Sequence, residues 1–146
     1  MERRLSRLTG ALLLLMIFQG ALGYALLGPG ADDAWVRWTH RVDVVVLVFL
    51  AVWMVPTTRG LPSSGTRTAV LRQGTAALLS LLAVQLFFGL LSATSLPTRF
   101  DVVTWHVGIG LLTSILVVGL HITAITPSLL LAAQREREKS LQARGP

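Results

Sequence analysis

Four stretches of this chain, residues 8–28, 36–55, 70–92 and 102–125, are apolar over nearly their whole length. Each is close to the roughly 20 residues that a helix needs to cross the hydrocarbon core of a bilayer. Backbone polar groups in that core must be satisfied within the segment, which leaves the helix as the form for spans of this length. Little of the 146-residue chain lies outside them. The expected fold is therefore an all-α integral membrane protein, a four-transmembrane-helix bundle over residues 1–127, followed by an amphipathic C-terminal segment over 128–146. Charged residues make up 14% of the chain, well below the roughly 25% of soluble domains, and leave no room for a soluble domain.

The placement of charge gives the orientation. Arg3, Arg4, Arg7, Arg59, Arg67, Arg72, Arg135, Arg137, Lys139 and Arg144 fall at the termini or near the loop between the second and third stretches. Only Arg37, Arg41 and Arg99 lie at the other face, beside Asp32, Asp33, Asp43 and Asp101. Under the positive-inside rule both termini are cytoplasmic. The net charge of +6 thus reports topology, and a nucleic-acid partner is not expected. The absence of cysteine excludes a disulfide framework, a thiolate metal site and thioether attachment of haem.

In chain order, a basic leader precedes residues 8–27, and Ala21-Leu22-Gly23 has the small-residue pattern of a signal-peptide cleavage site. The length of the stretch, and a copy of it later in the chain, favour a retained helix. Gly28-Pro29-Gly30 ends it. The second helix stops around Pro56, and a polar, basic loop with Pro62-Ser63-Ser64-Gly65 leads to the third. A loop with Pro97 precedes the fourth. Thr126-Pro127 reads as a cap with proline at the first helical position, starting a separate surface helix with Leu129, Leu130 and Leu131 ahead of a solvated charge run.

A shift of 66 residues lays the first helix on the third. Thr9, Ala11, Leu12, Leu13, Leu15, Gln19 and Gly23 meet Thr75, Ala77, Leu78, Leu79, Leu81, Gln85 and Gly89. The same shift carries His40 onto His106, so each glutamine precedes its histidine by 21 residues. Two hairpins inserted in the same sense form a parallel repeat about an axis along the membrane normal. That symmetry sets His40 and His106 at one depth on opposite sides of the axis, as in bundles whose facing helices supply cofactor ligands. Gln19 and Gln85 are expected to hydrogen-bond between helices.

Histidine inside a membrane helix is costly and marks a functional site by default. Neutral imidazole suits iron, so the pair predicts axial ligation of one b-type haem. The alternative is two interfacial histidines bonded to backbone carbonyls. Arg37, Arg41 and Arg99 are candidates to pair with haem propionates, or else anchors at the interface. Trp35, Trp38 and Trp105 either wall the haem or form an aromatic belt. Gly108 and Gly110 either admit a porphyrin close to the backbone or pack helices. Asp43, one turn deeper than His40, has three possible roles: to orient an imidazole, to carry a proton, or to pair with an arginine, the last being favoured. His121 lies about 22 Å along the helix from His106 at 1.5 Å per residue. A second haem between His121 and Met54 is the less favoured reading; an interfacial histidine is preferred.

Trp-Val-x-x-x-His-Arg over Trp35 to Arg41 resembles the haem A synthase family of cytochrome oxidase assembly. So does Val84-Gln85-Leu86-Phe87-Phe88-Gly89-Leu90, followed by a histidine early in the next helix. That family has two four-helix halves with histidines on the second and fourth helices of each, and this chain is similar to a single half. The resemblance implies His40 and His106 as haem ligands. The family's catalytic half has a glutamate three residues before the first histidine; Arg37 stands there instead, which makes the match closer to the haem b half. The outer-loop cysteine pair of many members is missing. The expected function is a b-type haem protein of a prokaryotic-type inner membrane, in electron transfer or haem handling for a respiratory chain. The expected partners are membrane lipid, haem and either a second copy or a respiratory complex. Two alternatives stand beside it: a half-length haem A synthase oxidising the haem O methyl group to give haem A as a homodimer, with Asp43 as catalytic acid, and a haem-less scaffold.

Overall fold

A computed structural model describes residues 2–28, 33–62, 65–92 and 99–143. The turns expected at Pro29 and Pro97, and residues 1 and 144–146, lie outside the described residues. The chain is all-helical: α1 (Glu2–Leu27), α2 (Ala34–Arg59), α3 (Thr66–Ser92) and α4 (Arg99–Ala143). At 1.5 Å per residue a 26-residue helix is about 39 Å long, more than the ≈ 30 Å hydrocarbon core. All four helices are long and apolar enough to cross a membrane. Their outward faces expose Leu14, Val45, Leu90 and Leu111, the all-round apolarity of a helix solvated by lipid.

Each helix packs against its two neighbours in a closed ring, α1–α2–α3–α4–α1, so that α2 and α4 stand diagonally opposed. The apolar core is concentrated towards the end that carries the α2–α3 connection. Leu5, Leu12, Leu47, Met54, Leu71, Leu78, Val117 and Leu120 fill it. Buried Thr9, Thr58, Thr75 and Thr113 sit in this core, and each hydroxyl donates to the carbonyl four residues back. That local bond lets a polar side chain enter an apolar interior at little cost. Towards the opposite end, polar Gln19 and Asp43 are buried instead.

Asp33 starts α2 by accepting from the Trp35 N–H at 2.8 Å, the usual bond of an N-cap carboxylate. The far ends of α2 and α4 differ from the sequence reading. Both run through the prolines expected to stop them, Pro56 and Pro127. A proline inside a helix has no N–H for the carbonyl four residues back, which for Pro127 is Thr123. Arg67 of α3 supplies a donor in its place: its Nε donates to the Thr123 carbonyl at 3.1 Å, and its Nη2 donates to the neighbouring Ala124 carbonyl at 3.2 Å. In α2, the Thr57 hydroxyl donates to Trp53, and the Thr58 hydroxyl to Met54 and Val55. Arg72 then caps the last turn, donating to the carbonyls of Thr58, Arg59 and Leu61 at 2.8–3.2 Å. A cation there also complements the helix dipole. The C-terminal segment is thus the continuation of α4 rather than a separate helix.

Candidate functional site: a histidine pair across the bundle

His40 on α2 and His106 on α4 come from diagonal helices and meet in the middle of the ring. Their ring centroids are 6.3 Å apart, with the planes inclined by 65°. Each ring rests against the helix that precedes its own in sequence. Gly23 of α1 faces His40, and a Cβ added there would lie 3.7 Å from Cε1. Gly89 of α3 faces His106 more closely, at 3.2 Å from Cε1. The absent side chains make the room that the imidazoles occupy. Gly23 and Gly89 are themselves 66 residues apart, like the two histidines.

The second contact of each ring is a glutamine. His106 Nδ1 is 3.2 Å from the Gln85 backbone carbonyl. A carbonyl only accepts, so the proton sits on Nδ1 and Nε2 carries the free lone pair. The Gln85 amide nitrogen is 3.5 Å from that Nε2, a weak donor in the place an electrophile would take. Gln85 Oε1 is buried without a hydrogen-bond partner among the described residues. Gln19 has one amide orientation that satisfies both of its ends. In it, the nitrogen donates to Asp43 Oδ2 at 2.8 Å and to the His40 carbonyl at 3.2 Å, and the oxygen lies 3.2 Å from the His40 ring nitrogens. Asp43 is 5% exposed, and the group that meets it is this amide rather than the arginine expected from sequence. At the position 66 residues on, Ile109 takes its place and is buried too. The two histidines are therefore held differently: His40 through an amide tied to a carboxylate, His106 through a backbone carbonyl.

Most of the other candidate side chains are exposed. Arg37 and Arg41 are exposed, and the Arg99 side chain is outside the described residues. Trp35 and Trp38 are exposed, as is Trp105, which stacks on Phe88 of α3 at 6.5 Å and 18°. Gly108 faces open space, and the room beside Gly110 is taken by the Gln85 amide, 3.0 Å from where a Cβ would stand. His121, near the other end of α4, bonds the buried Thr9 hydroxyl through Nδ1 at 3.0 Å and lies against Gly10. This local bond gives it a structural partner on α1.

Two imidazoles bound to one metal on opposite sides, with bonds of about 2 Å and about 1 Å more from nitrogen to ring centre, have centres about 6 Å apart. The observed separation fits that arrangement. Among the described residues no cluster of three or more histidine, cysteine or acidic side chains is placed to hold a bare ion. A pair can supply two ligands to a metal that brings its other ligands with it. No family model, no curated protein and no solved structure matches this chain.

Proposed function

We propose that the chain is a multi-pass membrane protein that binds one b-type haem, with His40 and His106 as its axial ligands. It is similar in this to a single half of the haem A synthases, and serves electron transfer or haem handling for a respiratory chain. The observation that carries this reading is the spacing of the two rings, 6.3 Å across the bundle from diagonal helices. The Nδ1–H bond to Gln85 supports it, because a ring nitrogen fixed on a backbone carbonyl leaves the other oriented as a ligand. Bound haem supplies a one-electron couple between ferric and ferrous iron. The chain's own part is to present two neutral imidazoles, to hold them by Gln19, Asp43 and Gln85, and to surround them with lipid-facing apolar helix that keeps bulk water out. The distribution of arginine puts both termini and the α2–α3 connection on the cytoplasmic side, and the histidine pair near the opposite face.

The test is the reduced-minus-oxidised spectrum of the chain purified in mild detergent. A low-spin b-type signal is expected, lost in His40→Ala and in His106→Ala and kept in His121→Ala. A chain that carries no haem in any preparation returns the haem-less scaffold as the reading. A second reading draws on the burial of Asp43 beside His40: a half-length haem A synthase acting on haem O as a homodimer. Conversion of haem O to haem A on co-expression, abolished in Asp43→Asn, would establish it.

A further inference from the structure

At the end of the bundle opposite the histidines, α1 and α2 leave an open groove of about 600 Å³ between them, lined by Arg3, Arg4, Arg7, Leu8, Ala11 and Trp53. A second hollow adjoins it over Arg4 and Trp53, reaching Pro56 and Thr57. We propose that this groove is a binding site for one anionic phospholipid, its phosphodiester held by the three arginines and an acyl chain lying along Leu8, Ala11 and Trp53.

The charge rule for membrane topology asks only that arginines be on the correct side of the membrane. It does not ask that they share one groove. Arg3 and Arg7 are one turn apart, as are Arg4 and Leu8, so these side chains lie on adjoining rows of the α1 surface. Among the described side chains, those of Arg3, Arg4 and Arg7 make no hydrogen bond or ion pair, and none that lines the groove is acidic. Three guanidinium groups in one concavity repel one another, and their place in the first turns of α1 opposes the helix dipole. An anion in the groove reverses both effects. Guanidinium matches phosphate through paired N–H donors. Basic pockets between transmembrane helices are where anionic head groups bind.

The lower wall specifies a lipid rather than a free anion. Trp53 is half-exposed and is the one tryptophan of four at this end, since Trp35, Trp38 and Trp105 all lie beside the histidines. Its amphipathic ring belongs at the boundary between head groups and hydrocarbon. Leu8 and Ala11 carry the apolar surface on from the arginines towards the hydrocarbon.

The experiment is tryptophan quenching of the full chain reconstituted in phosphatidylcholine, doped with brominated phosphatidylglycerol or with brominated phosphatidylcholine at the same mole fraction. The Trp53 component is the difference between the parent and Trp53→Phe. The expected result is several-fold stronger quenching of that component by the brominated anionic lipid, reversed by excess unbrominated phosphatidylglycerol but not by inorganic phosphate. The preference should vanish in Arg3→Gln/Arg4→Gln/Arg7→Gln. Equal quenching of the Trp53 component by the two lipids overturns the proposal, whatever the arginine variant does. So does a preference that survives the triple substitution, or one that inorganic phosphate erases.

Discussion

Gly23 and Gly89 make a matched pair of tests at the histidine layer, because they hold equivalent places in the repeat and the ring approaches one more closely than the other. Replacing a helix-interior glycine by alanine stabilises by about 1 kcal/mol through propensity. At Gly23 the new methyl meets His40 Cε1 at 3.7 Å, an ordinary contact, so Gly23→Ala should raise the melting temperature in detergent. At Gly89 it meets His106 at 3.2 Å, and the ring must give way, pulling Nδ1 from the Gln85 carbonyl. Gly89→Ala should forgo that gain and lose bound haem, read by circular dichroism melting and by the amplitude of the b-type spectrum. A Gly89→Ala protein as stable and as haem-replete as Gly23→Ala would show the contact to be unimportant. The histidine pair was legible in sequence because two imidazoles are rare in such a composition and the 66-residue shift aligned them. Their support was less so. The sequence marked Gln19 and Gln85 as hydrogen-bonding between helices but not the histidines as their partners, because how far an amide reaches depends on which face each helix turns. The link from Gln19 to Asp43 breaks the repeat, since Ile109 stands opposite, so nothing periodic announced it.

At the scale of the helix, the apolar stretches gave the four spans but not their ends. Pro56 and Pro127 read as stops because sequence shows the missing N–H and not the donor that replaces it. For Pro127 that donor comes from far along the chain, Arg67 of α3 reaching the Thr123 carbonyl and its neighbour Ala124; Arg72 reaches back instead to the carbonyls beyond Pro56, at Thr58, Arg59 and Leu61. These two arginines, counted above as topology signals, also join α3 to both of its neighbours. Arg67→Ala leaves the Thr123 carbonyl short of a donor, at about 1–3 kcal/mol for an unsatisfied buried group, and should lower the melting temperature in detergent. Pro127→Ala returns an N–H to the Thr123 carbonyl. In that background the same Arg67→Ala change should cost less, a coupling that a double-mutant cycle measures directly. Simple additivity of the two substitutions would mean that Arg67 acts by charge or packing and not by serving the opened carbonyl.

Across the whole molecule, the bundle is polarised: leucines, methionine and back-bonded threonines fill one half, with His121 and Gly10 among them, while Gly23, Gly89, Gln19, Gln85, Asp43, His40 and His106 crowd the other. The arrangement pairs a well-packed apolar end, which holds the helices in register, with an end whose interior is polar and whose glycines leave space. On the proposed function the second end holds the haem and relies on order at the first, and the positive-inside rule expects the first end to face the cytoplasm. Ten of the thirteen basic residues lie at the termini or the α2–α3 connection, and a biased set of arginines and lysines flanking the spans governs insertion. The natural chain has no cysteine, so a single introduced thiol reports its own side of the membrane without background. Pro62 and Gly28 are exposed at opposite ends of the bundle, which makes Pro62→Cys and Gly28→Cys the informative pair. In sealed right-side-out vesicles, a membrane-impermeant maleimide should label Gly28→Cys and spare Pro62→Cys, and inside-out vesicles should reverse the result. Labelling of Pro62→Cys from outside would turn the molecule over, moving the histidine pair to the cytoplasmic face and with it the side from which electrons or haem must arrive.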